Sequence, residues 1–237
     1  MVKAKSKVKI QQCKVEMSNL AGAINQYMSE YGRYPTSKET VANATSPSGV
    51  YDFTYSLHAQ GGLTNMIGEE YEPLNLCFSV PGSNYETNNA EVIAILRDME
   101  YYGNGSQTPN YQHKCNPRKT VFFQVKDSNK VTPSAVDFNG IYRDPWGNPY
   151  FISMDLNYDD YTVDLMYGTQ RVSQDSKNAN VGTHGLVRVP DYNLPGNGVT
   201  FGVRAGVMIW SMGPDGKADL SQPANVGVNK DNVLSWY

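Results

Sequence analysis

Two groups of acidic residues in this chain have the types and spacing to hold an ion. One is Asp155, Asp159, Asp160 and Asp164; the other is Asp215 and Asp219 with Asp231 and Asn232. Calcium takes about six to eight hard oxygens, backbone carbonyls among them, and needs a flexible loop bearing Gly and Asn. The second group suits that chemistry better. Asp215 sits in a Gly213-Pro214-Asp215-Gly216 turn, and Asp231-Asn232 closes the same polar loop. The run Asp215-Lys217-Asp219 only faintly echoes an EF-hand start, because Lys217 stands where an oxygen belongs and no Glu follows at the twelfth position. The competing reading is turn chemistry alone, since Asp in a polar turn bonds its own backbone.

Other site chemistries find little to build on. His58, His113 and His184 form no HxxxH or HExxH pair, and there is no GxSxG elbow and no GxxxxGK or GxGxxG phosphate loop. Absent motifs do not exclude an enzyme, but they make it the minority reading. Cys13, Cys77 and Cys115 include no CxxC, which excludes a zinc ribbon on spacing. A Cys77–Cys115 disulfide in an oxidising compartment and three buried thiols both remain open.

The composition narrows the class. The 237 residues suffice for one large domain or two small ones, and 40% hydrophobic content supplies a core. The 20 basic and 23 acidic residues nearly cancel, which argues against a nucleic-acid binder working through bulk charge. Only 18% of residues are charged, against 21 Gly, 13 Pro and 17 Tyr, a balance that suits a loop-rich extracytoplasmic domain. No stretch approaches the roughly 20 apolar residues that span a bilayer. Charge is segregated, however. The first fifteen residues carry Lys3, Lys5, Lys7, Lys9 and Lys14 and no acid, leaving 15 basic against 23 acidic residues, or −8, for the rest. Such an arm suits a nucleic-acid tail or a membrane-proximal segment.

The elements that must position these groups follow from periodicity. Ile10, Cys13, Met17, Leu20, Ile24, Tyr27 and Tyr31 step by three and four, the mark of one helix face, broadened by Ala21, Ala23 and Met28. Gly32 and Pro35 end that helix, which spans Lys3 to Tyr31 at roughly 45 Å and projects its basic end from the body. Val92, Ile93, Leu96 and Met99 predict a second helix over Ala90–Tyr101, stopped by Gly103 and Gly105. Strands are expected at Thr120–Val125, Tyr150–Met154 and Val207–Met212, with a short apolar segment at Val233–Trp236. Asp144–Pro149 reads as a tight turn. Residues 36–90 mix short apolar pieces (Val50–Tyr55, Leu74–Val80) with turns, and 155–198 read as a long excursion with little regular structure.

With these pieces placed, the chain resembles a major, G-type pseudopilin of type II secretion systems, a member of the type IV pilin-like superfamily. Tyr31-Gly32-Arg33-Tyr34-Pro35-Thr36 is similar to that family's helix-ending NGRYPT stretch. Asp144–Tyr150 (DPWGNPY) matches its turn, Ser211–Lys217 resembles its S-x-GPDGK segment, and Asp231–Trp236 (DNVLSW) its terminal DDI-x-x-W. The resemblance covers the helix and the C-terminal third; residues 47–140 and 155–198 are insertions relative to a short family member. It implies an α+β fold in a single domain. A long N-terminal helix (1–32) packs on a small antiparallel sheet, with a large inserted region at 47–140 and C-terminal strands and a loop at 141–237.

The resemblance further implies a non-enzymatic subunit that polymerises through its N-terminal helix into a periplasmic pseudopilus. It would work with other pseudopilins and secretion-system components and bind no nucleic acid. Its membrane contact would run only through an apolar, processed and methylated N-terminal segment missing from this chain. The family's calcium ligands fall on Asp215, Asp231 and Asn232, the last an amide in place of a carboxylate, which lowers ligand charge. Two rivals stand beside it: a type IV pilin or minor pseudopilin serving adhesion or fibre tips, and a surface carbohydrate-binding module using the tyrosine-rich insert.

Overall fold

The computed structural model describes residues 2–44, 52–55, 88–178, 180–190 and 198–237. Cys77, His58, Leu74–Val80 and the Gly61-Gly62 turn lie outside these residues. The longest element is α1 (Val2–Tyr31), one unbroken helix over the periodic stripe. Cys13, Met17, Leu20, Ile24 and Tyr27 are all fully buried, with Ile10 and Tyr31 packed at the margin. Gly32 ends it in the left-handed region (φ 64), its amide bonded to the Met28 carbonyl. A short helix, α2 (Lys38–Ala44), follows.

The sheet has four antiparallel strands in the order β1 (Phe53–Tyr55), β2 (Phe151–Met154), β5 (Val207–Ser211), β6 (Val233–Leu234). Phe151 pairs with Trp210 and Met154 with Val207, while Ser211 pairs with Val233. Alternation along the strands sends side chains to opposite faces. Ile152, Met154, Ile209 and Val233 face the α1 core; Phe151, Met208, Trp210 and Leu234 belong to a second cluster with Met166, Tyr167, Val172, Leu186 and Phe201. Both faces are therefore covered, which is why β5 reads as a continuous apolar run rather than an alternating one. The ring of Trp210 stacks on Phe151 at 3.9 Å, and Tyr167 meets it edge-on at 5.3 Å.

That second cluster revises the reading of 155–198. The excursion holds little regular structure: α4 (Gln170–Ser173), β3 (Val187–Val189) paired to β4 (Thr200–Gly202), and a 3-10 turn at Thr183–Gly185. Yet Met166, Tyr167, Val172 and Leu186 from it supply much of the cover for one sheet face. The region 47–140 is likewise not an appendage among its described residues. It contributes the edge strand β1 and the helix α3 (Ala90–Leu96), every residue of which is buried.

Two expected elements differ. α3 stops at Leu96 instead of Tyr101, because Asp98 turns left-handed (φ 56) and the Met99 amide folds back to the Ala94 carbonyl. Residues 120–125 form no strand. The Phe122 and Phe123 amides both bond the Leu96 carbonyl at the end of α3, and the Asn116 side chain brackets Thr120. A helix leaves its last carbonyls without partners, and this extended segment satisfies them in place of a neighbouring strand.

Gly22 sits in the middle of α1 on the solvent side, and a Cβ there would meet nothing within 4 Å. Gly22→Ala should therefore raise stability by about 0.5–1 kcal/mol, the helix-propensity difference unopposed by any clash. Chemical denaturation of the two proteins measures it; a lower midpoint for the alanine variant would mean this face is covered.

Candidate functional site

The loop carrying the proposed ion ligands is held by the turn before β2. Asp144 opens that turn, its Oδ1 accepting the amides of Trp146 (2.8 Å) and Asn148 (2.9 Å), with Gly147 at φ 99 allowing the reversal. The other carboxylate oxygen accepts the Ser211 hydroxyl at the end of β5. Asn148 Nδ2 donates to the Gly213 carbonyl at 2.9 Å, and the Gly213 amide bonds Ser211 Oγ at 2.9 Å. The DPWGNPY turn thus grips the start of the GPDGK segment.

From there the chain makes a 3-10 turn over Gly213–Asp215 and caps it with Gly216 in the left-handed region. Gly213 (φ 67) is a close approach: a Cβ on it would lie 2.2 Å from the Asp231 carbonyl. The long return loop is sewn together by buried Asn229, which accepts the Asp219 amide at 2.8 Å and donates to the Asp219 and Gln222 carbonyls. A second 3-10 turn, Gly227–Asp231, then delivers Asp231 and Asn232 to β6.

Asp215, Asp231 and Asn232 are therefore neighbours. Burial pushes the Asp231 carboxyl above the usual range, and the negative charge of Asp215 adds to the rise. The Asn232 side chain lies against the carbonyl oxygens of Met212 and Lys217, at 3.2 and 3.3 Å, with its other end 2.9 Å from the Tyr167 hydroxyl. One arrangement satisfies both ends of the amide. With the amide nitrogen toward the carbonyls, hydrogen bonds alone close the loop. With Oδ1 toward them the amide oxygen would face only acceptors, an orientation that only a hard cation set between the oxygens would stabilise. The donor set fits calcium, since carboxylate, amide and carbonyl oxygens are its ordinary ligands. Among the described residues no three His, Cys, Asp or Glu side chains form a metal-binding group, so carbonyls and the amide must supply much of any coordination here.

The first acidic group is divided. Asp155 accepts the amides of Asp159 and Asp160 at 3.1 Å, and Asp160 takes φ 71. Asp52 joins them, bonding the Leu156 and Val163 amides at 3.1 and 2.7 Å. Asp164 turns away and is fully buried, receiving Ser153 Oγ (2.7 Å), Trp210 Nε1 (3.1 Å) and the amides of Met166 and Tyr167. It fastens the excursion onto the sheet and cannot share an ion with the others. Of the histidines, His113 Nδ1 lies 2.8 Å from Asp98, and burial holds His184 below its ordinary pKa. The Cys13 thiol is pushed up to about 12 by burial; Cys115 is also raised by burial and donates to the Pro109 carbonyl. Both are free thiols, and the Cys77 half of the expected bridge lies outside the described residues.

These buried carboxylates set a pH dependence. Burial pushes Asp144 up to about 6 and Asp52 up to about 8, from 3.8 in the unfolded chain. Between 3.8 and those values the folded protein holds protons the unfolded chain has released, so stability falls as pH rises through that window and levels off above it. The melting temperature should decline from mildly acidic to mildly alkaline pH. Asp52→Asn, though less stable overall, should lose most of the slope between pH 6 and 8; a wild-type melting temperature that climbs over that range would refute the assignment.

Comparison with known proteins finds no matching family model, no matching curated protein and no matching solved structure. Among the described residues, no helix is long and apolar enough to cross a membrane.

Proposed function

We propose that this chain is a structural subunit of a type II secretion pseudopilus, acting in the periplasm by polymerising through α1 with its own copies and with other pseudopilins. The observation that carries the reading is spatial. The four sequence segments that resemble the pseudopilin motifs lie far apart in the chain, yet they pack into one unit. Asp144 and Asn148 bond Ser211 and Gly213, β6 pairs with the end of β5, and Tyr34 of the helix-ending segment closes on Gly206 at the head of β5. A long helix over an antiparallel sheet agrees with the same architecture. In this reading the loop binds one calcium ion through Asp215, Asp231, Asn232 and the Met212 and Lys217 carbonyls, the ion locking the C-terminal strand to the sheet. No residue is assigned a catalytic role.

Disrupting the gene in its source organism tests this. Loss of a set of extracellular proteins, with their accumulation in the periplasm, is expected. Intact export with loss of surface fibres or adhesion would move the chain to the type IV pilin reading instead, and neither effect would overturn both.

A further inference from the structure

The first turns of α1 carry Lys3, Lys5, Lys7 and Lys9, with no acid before Glu16, on a chain whose remainder carries −8. At about 100° per residue, Lys7 and Lys14 fall along one flank of the helix and Lys9 along another. Val8 and Val15 lie between these two flanks, on the side away from Cys13, Met17 and Leu20. They are 66% and 59% exposed, among the most open apolar side chains described. Two of the lysines touch the body: Lys9 Nζ sits 6.0 Å from the centre of the Trp146 ring, and Lys14 Nζ donates to the Tyr237 carbonyl at 3.0 Å. Nothing in the loop chemistry uses this face.

We propose that this face of α1 docks on an anionic lipid surface, the valines entering the headgroup boundary and the basic first turns, Lys7 among them, drawn to lipid phosphates. The pattern is that of an interfacial helix, in which a narrow apolar strip is flanked by long cationic side chains that snorkel. Two features select lipid over nucleic acid. Exposed valines between the lysines gain nothing from a phosphate backbone, and the arm holds no arginine, the residue suited to bidentate phosphate contacts. The acidic remainder is repelled by any anionic partner, which confines contact to this face. The proposal is independent of fibre assembly, and it extends membrane contact beyond the apolar segment expected from the family resemblance.

Flotation of the full chain with vesicles tests it. Vesicles of equal parts phosphatidylcholine and phosphatidylglycerol should bind the protein, and phosphatidylcholine alone should not, with binding weakening as salt rises. Lys3→Gln with Lys5→Gln and Lys7→Gln should weaken binding about a hundredfold, roughly fivefold per lysine. Val8→Ser with Val15→Ser should weaken it about tenfold while leaving the melting temperature unchanged. Absence of binding to the mixed vesicles, or equal binding to both kinds, would overturn the proposal. So would capture of a DNA duplex with the same lysine dependence and no valine dependence.

Discussion

Replacing Arg143 by alanine is expected to cost about 3–5 kcal/mol, the largest single-residue loss outside the apolar core. Arg143 is 1% exposed and its partner Asp137 is 4% exposed. Arg143 Nε and Nη2 both reach Asp137 Oδ2 at 2.8 Å, and Nη1 donates to the Gly147 carbonyl at 3.0 Å. The other Asp137 oxygen accepts the amides of Asn139 and Ile141. Removing the guanidinium leaves a buried carboxylate without its cation and frees the Gly147 carbonyl, so the turn bearing Asp144 and Asn148 loses its brace as well. Arg143→Lys should recover only part of the loss, because an ammonium cannot present the fork. Pairing Arg143→Met with Asp137→Leu should recover more than either change alone. Urea unfolding of the set forms a double-mutant cycle. A cost below about 1 kcal/mol for Arg143→Ala would place the pair with ordinary surface ion pairs.

That pair also marks where reading the sequence stops. The α1 stripe was legible because a helix face repeats within four residues, so Cys13 through Tyr27 declare their burial locally. The Asp144–Asn148 turn was legible for the same reason, its bonds being made within the turn. The partnership of Arg143 with Asp137 has no such mark, and neither does Glu91, which receives the Ser37 amide and the Thr40 hydroxyl from the start of α2 and the Tyr55 hydroxyl from β1. Asn89 is a further case. Its position suggests a helix cap, but its side chain instead clamps Tyr142 and Tyr150 from across the core. Asp164 was grouped with Asp155 by proximity in sequence and separated by the fold, since the chain turns sharply through Asp160. Thr120–Val125 carries strand-like residues, yet no strand pairs with it among the described residues; β propensity records a fit to a pleated surface and cannot supply that surface. The candidate loop lay between these extremes: its residues were identifiable, while the opposition of Asn232 to two carbonyls required the return loop to be folded.

Calcium is expected to raise the melting temperature, with a stabilisation of about 2.7 kcal/mol at a hundredfold excess over the dissociation constant, if it binds only the folded loop. The argument rests on what the loop does without an ion. Burial, and after it the like charge of Asp215, raises the Asp231 carboxyl, and the Asn232 amide satisfies both its ends only with its nitrogen toward the Met212 and Lys217 carbonyls. Without a cation the amide nitrogen takes that side and the two carboxylates repel. With one, Oδ1 takes it and both carboxylates gain a common partner. Asp215→Asn should therefore be neutral or slightly stabilising in chelator and clearly destabilising in calcium relative to wild type. Magnesium should substitute poorly, since it demands a tighter octahedron. Asn232→Asp separates the two closures most sharply. If hydrogen bonds alone hold the loop, the aspartate loses its donor, faces two carbonyls and lowers the melting temperature in chelator and calcium alike. If the loop gathers an ion, the same change adds ligand charge, so stability drops in chelator, but the calcium response grows and half-saturation shifts to lower concentration. An unaltered melting temperature with and without calcium in both wild type and Asn232→Asp would leave the loop closed by hydrogen bonds.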